Sequence, residues 1–421
     1  MTPEIKKRIE QIRCGEVPER YKRTNVGILP EEWNVIHLSK VLKKQTQKNI
    51  DSSIAHVLTN SATQGIVDQI EYFDKQIAND DNINGYYIVK NGYFVYNPRI
   101  SANAPCGPFN RYNGTETGIM SPLYTVYKFI GDSYCSEFLT HYFDSTSWHR
   151  YMNNIANYGA RSDRMNVTSN DMNLLPLPNP PLPEQQKIAA ILTTQDRIIA
   201  LQQQKIEEIQ RLKKACLTKM FPKKGSTIPE IRFPGFNGSW ERRRLGDVVK
   251  ITMGQSPDGS TYSEEPSKYI LVQGNADIQN GWVSPRIWTT QVTKIADAGD
   301  LIMSVRAPAG KMGKTAYNVV IGRGVAAIKG NEFIFQALLK MDQDGYWKKY
   351  SSGSTFESLN SDCLKNADIL IPSAMEQNKV GTFFNNLDNL ITLHERKLEE
   401  MQKFKKALMQ LLLTGIVRVN V

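Results

Sequence analysis

The sequence predicts a mixed α/β protein: two globular heads joined by two long antiparallel coiled-coil helices, related by an internal pseudo-twofold duplication. Three observations predict it. Residues 182–221 and 374–413 align without a gap at an offset of 192, and 13 of the 40 pairs are identical. Both segments carry apolar residues at the alternating three- and four-residue spacing of a helix seam. Outside them, short β-branched and aromatic runs alternate with Gly, Pro and Asn turns. A repeat this long is half of the protein, whereas solenoid units recur every ~20–50 residues. Each half should do the same job once, on a ligand with two half-sites.

Taken in order, residues 1–23 are charged throughout, lie outside the duplication and suit an amphipathic helix. They lack the apolar core of a signal peptide. The first head spans 24–181 and the second 223–373. Their openings correspond (28–41 with 236–249, Trp33 matching Trp240), as do 89–99 and 296–306. Nearer their ends, 158–167 pairs with 352–361 through Gly159/Gly353 and Asn166/Asn360. Strands are expected at 86–95, 123–129, 269–273, 301–305 and 324–328, with a helix at 333–341. Between the anchors the heads share little, as one fold with two variable surfaces would.

The first long helix occupies 182–222. Its seam is Ile188, Leu192, Ile199, Ile206, Ile209 and Cys216. Pro183 and Glu184 suit its first turn, lysines 213, 214 and 219 its last, and Pro222 stops it. From Glu184 to Phe221 the helix would be roughly 57 Å long. The second long helix spans 374–415, with seam residues Val380, Phe384, Leu387, Ile391, Leu398, Met401, Leu408 and Leu412, and Gly415 at its end. A short tail, 416–421, follows. One stripe cannot bury itself, so each helix should pair with the other copy; pairing between two chains is the alternative. Gln195, Gln202 and His394 fall on the seam, where polar residues fix register.

Composition narrows the function. The net charge is +10 and the pI about 9.1, which argues for a polyanionic partner, nucleic acid first. The alternative is mere solubility. No apolar run approaches the ~18–20 residues of a membrane span. Five scattered cysteines without a CxxC pair indicate neither a zinc site nor a disulfide framework, and fit a reducing cytoplasm. The histidines form no metal-binding pattern.

At the level of motifs, the chain resembles the DNA-specificity subunits of type I restriction–modification systems. The resemblance rests on TNVGILPEEW (24–33), GQSPDGSTY (254–262) with VQG (272–274), GDLIMSVR (299–306) and GSTFESLN (353–360). The LPEQQKI opening of the first long helix is the strongest match, and the second copy departs from it at Ala374-Met375. The resemblance covers nearly the whole chain from Thr24. It implies two target-recognition domains that read the halves of a split, asymmetric DNA sequence. The helical pair would act as ruler and dock for two methyltransferase subunits, with restriction or translocase subunits as further partners. Catalysis, S-adenosylmethionine and ATP would belong to those partners, and the subunit itself would hold no cofactor or metal.

Enzyme motifs are poor. Asn179-Pro180-Pro181-Leu182 approaches the N-P-P-aromatic motif of amino-methyltransferases, but Leu182 stands where a stacking aromatic is needed. Gly313-Lys314-Thr315 approaches a phosphate-binding loop, but Pro308 replaces its first glycine. A standalone methyltransferase or nuclease and a protein-binding helical scaffold are the rival readings. Candidate DNA contacts come from polar turns after strands, where long donors reach a groove. They are Arg99, Arg111, Tyr158, Arg161 and Arg164 in the first head. In the second they are Arg306, Lys311, Lys314, Ser354 and Thr355. The alternative for each is a solvated surface group. Tyr158 could also be core, as is expected of Trp148 and Trp347.

Overall fold

The computed structural model describes residues 2–75, 80–156, 163–349 and 358–420. The chain forms two compact units, Met1–Leu201 with Glu399–Val421, and Gln202–Leu398. Each unit thus holds one head and part of both long helices, so the units divide within the helices and not at the head boundaries.

In the first unit, helix α1 (Pro3–Arg13) is capped by Thr2, with Pro3 in its first turn. The rest of the N-terminal segment leaves the helical path after Cys14 and enters a strand at Tyr21. The head is built on β1 (Leu42–Gln45), β2 (Phe94–Tyr96), β3 (Phe109–Arg111) and β4 (Thr125–Phe129), in the order β1-β4-β2-β3, all antiparallel. Side-chain alternation divides these strands between two cores. Phe94, Tyr96 and Tyr127 enter the main cluster with α2 (Ser136–Asp144), while Val95 and Val126 face a smaller cluster around Leu58 and Met120. The apolar run 86–95 is not one strand: a turn at Gly92 (φ +81°) separates Tyr87–Val89 from β2.

The first long helix, α3, runs from Leu182 to Met220. The second unit repeats the plan. Strands β5 (Lys250–Met253), β6 (Leu301–Ser304), β7 (Met312–Lys314) and β8 (Val325–Lys329) lie in the order β5-β8-β6-β7, extended beyond β7 by two short strands. Alternation again feeds two cores. Leu301, Met303, Ala326 and Ile328 join the cluster beneath α4 (Glu332–Gln343); Ile302, Val325 and Ala327 join the other. The last helix, α5, spans Ala374–Leu413, so the missing Leu-Pro pair does not displace its start. Gly415 (φ +69°) ends it; a Cβ there would lie 2.6 Å from Pro30, so only glycine fits.

The duplication is visible in small features. Strands 176–179 and 368–371, offset by 192, each pair with a strand just after Trp33 or Trp240. The one-turn helices Ser169–Asn173 and Ser361–Lys365 are capped by Thr168 and Asn360. The sequence alignment holds through the preceding bridge, where Met165 matches Leu359, while as helix cap Asn360 takes the place of Thr168. Within each unit α3 and α5 segments pack antiparallel. Gln202 Nε2 donates to the His394 carbonyl (2.9 Å) in the second unit, and Lys405 binds Asp196 in the first.

Candidate nucleic-acid interface

The heads are fastened to the long helices by equivalent contacts. Glu184, nearly inaccessible, receives Arg418 Nε and Nη2 at 2.6 and 2.8 Å and Trp33 Nε1 at 3.0 Å. Glu376, equally buried, receives Arg232 Nε and Nη2, both at 2.7 Å. Such paired donors to one carboxylate are strong and orient both groups. The next residue repeats the theme. Gln185 donates to Pro180 O and accepts from Cys135 N at the start of α2; Gln377 donates to Pro372 O and accepts from Asn331 Nδ2 at the start of α4.

About three turns further along, the repeated aspartates meet the repeated lysines. Lys213 Nζ lies 2.6 Å from Asp388, and Lys405 binds Asp196. A head-helix side chain reaches each: Gln336 Nε2 donates to Asp388 at 2.9 Å, and His141 Nδ1 lies 3.8 Å from Asp196. Burial pushes the His141 pKa down to about 4, outweighing the pull of Asp196, with Lys405 pushing the same way as burial.

The seam residues fall as follows. Ile188, Leu192, Ile206, Ile209, Val380 and Phe384 are buried, while Ile199, Leu387, Ile391, Leu398 and Met401 are half-buried. Ile188 and Leu192 pack in the first head's core, and Val380 and Phe384 in the second's.

The nominated DNA contacts separate into groups. Tyr158, Arg161, Ser354 and Thr355 lie outside the described residues. Arg111 and Lys314 end β3 and β7 at the same register, opposite Phe94 and Leu301. Both are held by an acid at the start of the head helix: Arg111 by Glu137 and Lys314 by Glu332, each at 2.8 Å. Burial opposes the Glu137 carboxylate, but hydrogen bonds from Arg111, its backbone and Ser136, with the Arg111 charge, bring its pKa down to about 2. Lys314 also sits over the rings of Phe335 and Trp282. Each of these two cations is thus paired with a carboxylate of its own head, which holds its side chain against the head helix. Lys311 lies 3.5 Å from Asp342 and beside a cavity of about 630 Å³ that Trp282 and Lys213 also line.

Arg99, Arg164 and Arg306 remain beside polar surface. Arg99 and Arg164 oppose each other across an antiparallel bridge, and Arg306 opposes Ser358 in the corresponding bridge of the second head. The first pair opens on a cleft of about 310 Å³ lined also by Asn60, Asn97, Ser101 and Tyr124. Sequence reasoning missed Asn60 and the hairpin Leu58–Asp68 that carries it, along with Arg232, Arg418 and His141. The repeated Glu184/Glu376 and Asp196/Asp388 identities signalled that partners existed. The missed partners, Arg232, Arg418 and His141, lie outside the two aligned helical segments.

Comparison with known proteins agrees with this geometry. The family model for the type I restriction modification DNA specificity domain matches residues 30–211 and 237–403, one match for each half. The chain is 29% identical over 430 residues to the MjaX type I restriction enzyme specificity subunit of Methanocaldococcus jannaschii, covering 96% of this chain and 97% of that one. It is 27% identical over 270 residues to the MjaVIII specificity subunit of the same organism, covering 58% and 62% of the two chains. Among solved structures, a chain from a study of complex assembly in a type I restriction–modification system superposes with a TM-score of 0.59 at 21% identity. It covers 92% of this chain and 99% of that one. The S subunit from M. genitalium superposes with a TM-score of 0.57 at 15% identity, covering 94% and 98%. The chain belongs to the type I restriction–modification DNA-specificity family. It is a specificity subunit: it recognises DNA sequence, and catalysis lies in partner subunits.

Proposed function

We propose that this subunit reads a bipartite, asymmetric DNA target, one half-site per head, and that two methyltransferase subunits dock on it. The observation that carries the first part is the pair of equivalent strand bridges with unlike residues, Arg99–Arg164 against Arg306–Ser358. One scaffold with two different reading edges suits two different half-sites. A mismatched base pair costs about 1–3 kcal/mol, so two short half-sites discriminate well only when joined. A stiff helical link avoids the entropy lost by a flexible tether. α3 is 39 residues long, about 58 Å, and half-sites one duplex turn apart are separated by roughly 34–36 Å.

The stoichiometry has its own support. On the faces away from the seam, α3 exposes Ile198 (38%), Leu201 (57%) and Leu212 (52%), and α5 exposes Leu390 (39%), Leu393 (63%) and Phe404 (57%). These six residues are three pairs at the 192 offset, with nearly equal exposure in each pair. Apolar surface repeated in this way fits two copies of one partner. S-adenosylmethionine and ATP would be bound by the methyltransferase and by any restriction subunit. Co-expression with the methyltransferase encoded beside the gene, followed by single-molecule mapping of methylated adenines, tests the reading. A split motif with a fixed gap is expected; a continuous motif would overturn it.

A further inference from the structure

Two like charges stand face to face in the first head. The hydrogen bonds flanking the Arg99–Arg164 bridge run from Ile100 N to Asp163 O and from Met165 N to Pro98 O, both 2.9 Å. The two arginines are therefore a non-hydrogen-bonded pair. In that geometry opposed Cβ atoms come within about 4.5–5.5 Å and leave the same face of the ribbon. Directly opposed like charges destabilise a strand pair. Relief is slight: Asp163 reaches Arg99 at 4.0 Å, with the Arg99 side chain 69% exposed. Arg164 Nε is shielded from solvent and has no hydrogen-bond partner among the described residues. Both side chains line the 310 Å³ cleft, and no carboxylate is among its described lining residues. The fold does not demand this doubling. The second head makes the same bridge, with Leu359 N donating to Val305 O at 2.8 Å, and places neutral Ser358 opposite Arg306.

We propose that Arg99 and Arg164 together grip one backbone phosphate of the DNA, setting the register of the first head. The second head would make the corresponding contact with Arg306 alone. The inference rests on the reading of the heads as DNA-binding and adds how one of them is anchored. A phosphate carries the full negative charge that two close guanidiniums lack, and its oxygens accept paired N–H donors from both. A guanine edge is neutral and would leave the repulsion in place. The clamp positions the head and carries no base preference.

The test uses the full chain in complex with its methyltransferase and a labelled duplex bearing the mapped target, titrated across salt concentrations. Each phosphate contact contributes about 0.9 to the slope of log K against log salt. If both arginines hold one phosphate, Arg99→Gln/Arg164→Gln lowers the slope by about 0.9, no more than the larger single variant, and leaves the methylated motif unchanged. Arg306→Gln lowers it separately by a similar amount. A double-variant fall near 1.8, an unchanged slope, or a base relaxed in the motif overturns the clamp. Arg99 is exposed and in a like-charge pair, so Arg99→Gln should melt no lower than wild type. A clearly lowered melting temperature would instead assign Arg99 a structural role. Salt-insensitive binding by the wild-type complex would overturn the DNA reading of the heads, a failure distinct from loss of the clamp alone.

Discussion

His141 and Glu184 show how single side chains join head to helix. His141 titrates near 4 in the folded protein and near 6.5 when free. The unfolded chain therefore takes up the proton first. Stability on this account is full above pH 6.5 and falls as pH drops towards 4, by up to about 3 kcal/mol. Asp144, whose side chain keeps 38% of its surface exposed, works the other way, its pKa raised to about 6 chiefly by desolvation. His141→Gln isolates the histidine, copying the Gln336 arrangement of the second unit. Denaturant midpoints at pH 7.5 and 4.5 should show the variant losing less stability than wild type; equal losses would mean that His141 does not titrate as described. Glu184→Ala strands the Trp33 indole, leaves Arg418 with Glu32 as its remaining acid, and should cost about 2–4 kcal/mol, since Arg418 is only partly shielded. Glu376→Ala leaves Arg232 its bonds to the Asn237 and Gly238 carbonyls and strands no indole, because the Trp240 indole nitrogen has no partner among the described residues, and should cost less in thermal melts.

At the level of elements, the long helices were the most legible part of the chain. Their seam and repeat appear as pattern, and α3 and α5 begin and end within a residue or two of the expected positions. The cross-helix ion pair was readable only as two unexplained identities, because pairing depends on which turn faces which. Lys213 and Asp388 are largely shielded, and a double-mutant cycle between Lys213→Met and Asp388→Leu should yield a coupling of about 1 kcal/mol. A coupling near zero would leave the seam alone to hold the helices. The strands were less legible. Their apolar runs gave existence, yet the break at Gly92 and the two-core alternation needed tertiary context. Arg111 and Lys314 illustrate the limit most plainly. A cation after a strand reads the same whether it faces solvent or a carboxylate brought in by a distant helix.

At the scale of the molecule, the modular plan makes two expectations. Replacing residues 24–181 with the head of a related subunit should change one half of the methylated motif and leave the other; a change in both would refute modularity. Inserting four residues near Gln202, where α3 meets His394, should alter the gap between half-sites, as read from the methylation map. An unchanged gap would refute the ruler. The duplication and the paired long helices were legible, since each is a matter of order along the chain. The cleft beside Arg99 was legible only in part: Arg99 and Arg164 stood out as candidates, but Asn60, which lines it with them, comes from a hairpin distant in sequence. One consequence concerns time. The first unit takes residues from both ends of the chain and surrenders the middle to the second. On a ribosome adding about 5–20 residues per second, Ile188 and Leu192 must wait on the order of 10–40 s for Met409 and Leu412. The second unit is complete by Leu398, so the domain begun first is the one finished last, and its uncovered seam is the point at which a chaperone would find work.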